Sequence, residues 1–160
     1  MKPRIELFPT TKFIGKRVKM SLANNRTQEL WQGFIPQIGQ IQNRIGSEFF
    51  SVEVYNDASF FEHFSPEKLF EKWAAVPVSH LDFIPSAMEP LEILKGLYAV
   101  FPYKGKASEA HKAYAYIFGT WIPNSDYFLD YRPHFAIMGE KYKNEDPKSE
   151  EELWIPIRKR

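Results

Sequence analysis

Histidine is the side chain best suited to move a proton or hold a metal near neutral pH, and the sequence has four, His63, His80, His111 and His134. None stands at the spacing from another His, Asp or Glu that a metal site on one helix or hairpin needs, so no metal and no cofactor is expected. There is no cysteine, which removes thiol nucleophiles and thiolate sites together. A Gly-rich phosphate loop and a Gly-x-Ser-x-Gly elbow are also missing, and Ser125, just after Pro123, reads as a turn residue. What remains is the chemistry of rings. Phe, Tyr and Trp make up 16% of the chain, and such rings either fill a core or line a site for apolar and cationic molecules. Composition alone favours the core.

Strand parity moves some rings elsewhere. In residues 132–139, alternation puts Phe135 and Ile137 on the side expected to face helices, with His134, Ala136 and Met138 on the other. In the last strand Leu153, Ile155 and Ile157 suit the core while Trp154 projects oppositely, and Tyr98 opposes Leu97, Ala99 and Phe101. Tyr55 shares a face with Ser51 and Glu53, and Glu53 is expected to point to solvent. Tyr55, Trp73, Tyr98, Trp121, Tyr127 and Trp154, with Ala136 and Met138, are therefore the candidate lining of a groove on the helix-free face.

The elements that position them occur twice. Residues 12–22 alternate as a half-buried strand. Asn24 and Asn25, with Gln28 as a possible capping-box partner, open a helix whose stripe runs Leu30, Trp31, Phe34, Ile35, Ile38, Ile41, Ile45, and Pro36 should kink or split it. Strands at 49–55 and 68–80 follow. The second half repeats the order: a strand at 97–103; a helix carrying Ala110, Ala113, Tyr114, Ile117, Phe118 and Trp121, capped by Ser108 and stopped by Pro123; then strands at 127–131, 133–139 and 152–157. Trp31-Gln32-Gly33-Phe34-Ile35-Pro36 is echoed by Phe118-Gly119-Thr120-Trp121-Ile122-Pro123. The expectation is an α+β fold of tandem strand-helix-strand-strand modules, about 1–82 and 83–160, with antiparallel sheets and both helices on one face.

At 160 residues a single domain (1–160) can bury its own core. The net charge of +1 supplies no field for nucleic acid or anionic membrane. No run approaches the roughly 18 apolar residues of a membrane helix, and the start lacks a signal-peptide hydrophobic region. A soluble cytoplasmic protein is expected.

The chain resembles the GyrI-like family, the effector-binding domain found attached to AraC-type and MerR-type regulators. The resemblance is carried in order by Leu30-Trp31-Gln32-Gly33-Phe34-Ile35-Pro36, Lys72-Trp73-Ala74-Ala75-Val76-Pro77-Val78, Leu97-Tyr98-Ala99-Val100-Phe101 with Lys104-Gly105, Trp121-Ile122-Pro123-Asn124-Ser125-Asp126-Tyr127, Arg132-Pro133-His134-Phe135, Met138-Gly139-Glu140-Lys141-Tyr142-Lys143-Asn144 and Trp154-Ile155-Pro156-Ile157. It implies a central pocket for lipophilic, often cationic or aromatic small molecules, used in drug sensing or sequestration. Some stand-alone members resemble hydrolases that open the cyclopropane ring of DNA-alkylating compounds as detoxification, and one inhibits gyrase. With no helix-turn-helix before Ile5 or after Ile157, direct DNA binding is not expected. The family's pocket glutamate falls at Ala136. A glutamate there would be a counter-ion or an acid-base group; alanine is neither, so either a natural binder that has lost the chemistry or an engineered inactive variant of an enzyme is expected, with the groove-side Glu53 as an alternative electrostatic substitute if it does not point to solvent. Gyrase as a partner finds no support in the charge.

Overall fold

Residues 2–56, 59–62 and 65–160 are described by a computed structural model; His63 lies outside the described residues. The described residues form nine strands: β1 (Arg4–Phe8), β2 (Thr11–Met20), β3 (Phe49–Val54), β4 (Phe70–Val78), β5 (Glu89–Ile93), β6 (Gly96–Lys104), β7 (Tyr127–Leu129), β8 (His134–Met138) and β9 (Glu150–Lys159). Helix α1 (Thr27–Phe34) passes into a 3-10 turn at Ile35–Gln40, because Pro36 supplies no donor for a further α-helical bond. The expected helical stripe therefore ends early, and Ile45 is exposed. Arg26 rather than Asn25 occupies the cap position, and no side chain caps the helix. Helix α2 (Ala110–Tyr116) widens into a π turn at Ile117–Trp121. Ser108 does not cap it: its hydroxyl donates to Glu145 Oε2 at 2.7 Å.

The fold is α+β, with all strands antiparallel in one sheet ordered β1-β6-β9-β8-β3-β4-β2-β5, and β7 pairing β9. Read from either edge, the order exchanges β1 with β5, β6 with β2, β9 with β4 and β8 with β3. The centre is the β3–β8 pair, where Ser51 stands opposite Ala136. Two-residue links join β1 to β2 and β5 to β6, yet each link connects an edge strand to the strand next to the opposite edge of the sheet. The sheet must therefore be rolled until its edges approach, and Lys95 N donates to Thr10 Oγ1 at 3.0 Å where the two links meet. Gly15 serves this curvature, since a Cβ there would sit 2.2 Å from the Ala74 carbonyl oxygen.

Rolling gives the sheet two buried faces. Register places Lys16, Ala74, Ser51, Ala136, Leu153 and Phe101 in one row across the strands, hence on one face. On that face Leu30 and Phe34 of α1 pack on Ile14, Ala74 and Val76, and Ala113 of α2 packs with Ile117 on Phe101, Leu153 and Ala136. The other face is the inside of the roll, where Phe8, Phe13, Phe50, Trp73, Tyr98, Phe135 and Trp154 close on each other without a helix.

Candidate functional site

The parity expected for the two central strands is reversed. Phe135 and Ile137 lie inside the roll, while Ala136 lies under the helices. Side-chain size misleads here because both faces are buried: large rings fill the roll's interior, and small residues let the helices approach. The helix-free face, where the groove is expected, is filled by these rings among the described residues. That face is packed, with Phe8 4.8 Å from Phe135 and Phe135 stacked on Trp154 at 5.3 Å.

Three predicted site residues go into that packing. Trp73 donates its indole N–H to Glu71 at 3.2 Å, and Trp154 donates likewise to Glu152. Tyr98 is wholly buried; its hydroxyl donates to the Pro133 carbonyl at 2.8 Å, and the Arg132 guanidinium covers its ring at 4.6 Å. Burial raises the Tyr98 hydroxyl well above its ordinary value. Trp121 and Tyr127 stack on each other at 6.3 Å at the far end of α2, with Trp121 edge-on to Phe101. Trp121 and Tyr127 thus pack on the cluster that includes Ala136, whereas Trp73, Tyr98 and Trp154 belong to the cluster on the opposite face.

On the helix face the β3–β8 pair runs between the strands that the two helices cover, β4 and β2 under α1 on one side and β9 and β6 under α2 on the other. Ser51 and Ala136 are its centre, both buried, with Met138 further along β8 on the same side. The next row runs Val18, Lys72, Glu53, His134. Glu53 therefore does not point to solvent: its side chain is 13% exposed, and Oε1 accepts from Lys72 Nζ at 3.0 Å. Glu53 Oε2 is buried and has no hydrogen-bond partner among the described residues. Beside it His134 is held neutral, its pKa pushed down to about 3 by burial and then by Arg132.

Rings rise beside these residues. Tyr55, at the end of β3, stands edge-on to His134 at 4.9 Å and contacts Phe60, Phe61 and Phe70. Phe61 stacks on Phe118 at 4.8 Å and 26°, and both rings lie within 6 Å of His134. Tyr114, one turn before Phe118, is nearly parallel to it at 12°. Burial, then Glu53, raises the hydroxyls of both Tyr55 and Tyr114. Glu151 of β9 completes the set. Burial pushes its carboxyl up to about 7, opposed by Lys72 and reinforced by Glu53.

Of the predicted residues, Tyr55, Ala136 and Met138 belong to this face, and Trp121 and Tyr127 pack on it. The sequence reading put His134 on the same face as Ala136 and Met138, and missed Phe61, Tyr114, Phe118, Lys72 and Glu151. Tyr114 and Phe118 sit in the apolar stripe of α2 and read as core, while Phe61 belongs to a stretch without periodicity. Two surface clefts, at the start of α1 beside Arg26 and Glu29 and between β6 and α2 beside Tyr103 and Tyr116, do not include Ala136. No group of three or more His, Asp or Glu among the described residues could hold a metal ion. No helix among them is long and apolar enough to cross a membrane.

This architecture recurs in solved structures. SAV2435, bound to tetraphenylphosphonium, superposes with a TM-score of 0.69 at 15% identity, covering 99% of this chain and 94% of that one. The EcmrR C-terminal domain gives 0.69 at 17% identity over 99% and 98% of the two chains. A hydrolase encoded by lin2189 from Listeria innocua gives 0.59 at 14% identity over 98% and 92%. At these identities the likeness concerns the fold. No curated protein sequence matches. The GyrI-like small molecule binding domain model matches residues 1–158, and the chain belongs to that family.

Proposed function

We propose that the protein binds a flat lipophilic, aromatic or cationic small molecule in a groove between α1 and α2, over the Ser51–Ala136 pair. The observation that carries this reading is the set of rings gathered there from three separate elements. Tyr55 comes from the end of β3, Phe61 from the segment before β4, and Tyr114 and Phe118 from α2 and the π turn that continues it, around a floor of small side chains. Phe118 and His134 present ring faces and edges against which a planar ligand stacks. SAV2435, with the same fold, was solved with a lipophilic cation, which supports the ligand class. The rings touch one another, so a ligand takes the place of Phe61 in its stack. The mirrored strand order supports reading the chain as two duplicated modules, about 1–82 and 83–160, in one domain, with the groove on their pseudo-twofold axis.

A second reading, hydrolysis of a cyclopropane-bearing compound, has one observation in its favour. Glu151 is a carboxyl near the groove held at about 7, the range in which a carboxyl can both give and take a proton. The experiment that tests both is calorimetric titration of the native chain and its Ala136→Glu form with lipophilic cations and cyclopropane-containing drugs, with product formation followed chromatographically. Binding without turnover is the expected result for the native chain. Absence of binding across the panel would refute the first reading, and intact drug in both forms would refute the second.

A further inference from the structure

Glu53 is a buried carboxylate close to the rings, and its two oxygens are not equivalent. Oε1 is taken by Lys72, an ion pair whose side chains are 13% and 12% exposed. Oε2 is shut away from solvent with no donor among the described residues. The groups around the pair are known from each element packed on it: Lys72 on β4, His134 on β8, Tyr55 at the end of β3, Tyr114 on α2 and Glu151 on β9.

From this, and resting on the small-molecule reading above, we propose that the groove selects an aromatic amine carrying an N–H, which donates to Glu53 Oε2, over a quaternary cation of the same size and charge. The Glu53–Lys72 pair carries no net charge, and Ala136 adds none, so a cation without a donor gains little from them beyond contact with the rings. Glu151 contributes negative charge as it ionises, but that field acts equally on both kinds of cation. The unmet requirement is directional. A buried carboxylate oxygen lacking a donor is costly, and a charged N–H placed on it forms one of the stronger hydrogen bonds available in a protein. A tetraaryl or tetraalkyl cation cannot supply it.

The test is a matched pair of probes at pH 7.5, dibenzylammonium and dibenzyldimethylammonium, titrated calorimetrically into the full chain. They share rings and charge and differ in the N–H; the methyl groups add apolar surface to the quaternary probe, so hydrophobic burial works against the expected order. The secondary amine should bind about ten- to a hundredfold more tightly, the range of one charge-assisted hydrogen bond. In Glu53→Gln, where an amide N–H replaces the free oxygen, the ratio should fall below about threefold. Should that change leave Lys72 unpaired and the fold weakened, the double variant Glu53→Gln/Lys72→Met removes both charges, and thermal melts confirm which form is folded. Equal affinity for the two probes in the native chain overturns the proposal while leaving small-molecule binding intact. A preference that persists in a folded Glu53 variant also overturns it. If neither probe nor tetraphenylphosphonium binds, the groove reading itself fails, and the proposal with it.

Discussion

Phe61 stands where a ligand is expected, so its removal separates a wall from a stopper. Among the described residues the ring makes four close aromatic contacts, with Tyr55 at 4.9 Å, Phe60 at 5.1 Å, Phe118 at 4.8 Å and His134 at 5.6 Å. At the low end of about 0.5 kcal/mol for each ring pair, leaving this position costs about 2 kcal/mol. A ligand entering the native groove must offset that cost; a ligand entering Phe61→Ala does not. The variant should therefore bind tetraphenylphosphonium about thirtyfold more tightly by calorimetry, since about 1.4 kcal/mol is a factor of ten. The same contacts are lost to the empty protein, so its melting temperature should fall by roughly 4–8 °C, taking about 2–4 °C per kcal/mol for a chain of this size. Ligand at saturation should restore much of that loss. An unchanged or weaker affinity in folded Phe61→Ala would refute displacement and make Phe61 part of the wall.

Three further outcomes are expected. Ala136→Glu places a carboxylate between Ser51 and Leu153, so tetraphenylphosphonium should bind roughly tenfold more tightly while the melting temperature falls from burying the charge; no gain in affinity would show that position 136 does not face the ligand. Gly15→Ala drives a methyl into the Ala74 backbone, which cannot give way, and should cost about 3 kcal/mol, read as a drop of roughly 6–12 °C in thermal denaturation. Glu151 keeps its proton to about pH 7 in the folded state and loses it near 4.5 when unfolded, so its contribution is full below about 4.5 and is lost as pH rises to 7. Glu151→Gln should accordingly gain stability over the native chain between pH 5 and pH 8, by at most about 3 kcal/mol; the opposite acid sensitivity of neutral His134 is common to both proteins and cancels. A constant difference across that range would show that Glu151 titrates normally.

The strands and the α2 stripe were legible because period-2 and period-3.6 patterns report local geometry: β2, β3, β4, β6 and β8 fall where alternation puts them. β1 was not seen, since Arg4, Ile5, Glu6 and Leu7 form an edge strand whose side chains are mostly exposed and whose partner, β6, lies some 90 residues away in sequence. The caps were misread because Asn25 and Ser108 have the right chemistry but spend it elsewhere, Asn25 accepting from Thr27 N and Ser108 bonding Glu145. Which face of β3 and β8 meets the helices was beyond any local pattern. Alternation says only that Phe135 and Ala136 point oppositely. The rolling of the sheet, a consequence of two short links between strands far apart in it, decides which of them is inside.

That roll also divides the excess of aromatic residues into two populations with different duties. Trp73, Tyr98, Phe135 and Trp154 are buried, and the polar atoms of the first two and the last are bound to protein partners, so truncating them removes core. Tyr55, Phe61, Tyr114 and Phe118 surround charged groups that are incompletely paired, Glu53 above all. Buried polar atoms in a core are ordinarily satisfied, because leaving them bare costs as much as a hydrogen bond gains. An unsatisfied atom of this kind lies beside each population, Glu53 Oε2 near Tyr55 and Tyr114 and Arg132 Nη1 beside Tyr98, but only the first belongs to a carboxylate, the group that pairs with a cationic ligand. Composition could not distinguish the two populations. The proposed site is the one beside the carboxylate, on the side of the sheet that the helices cover.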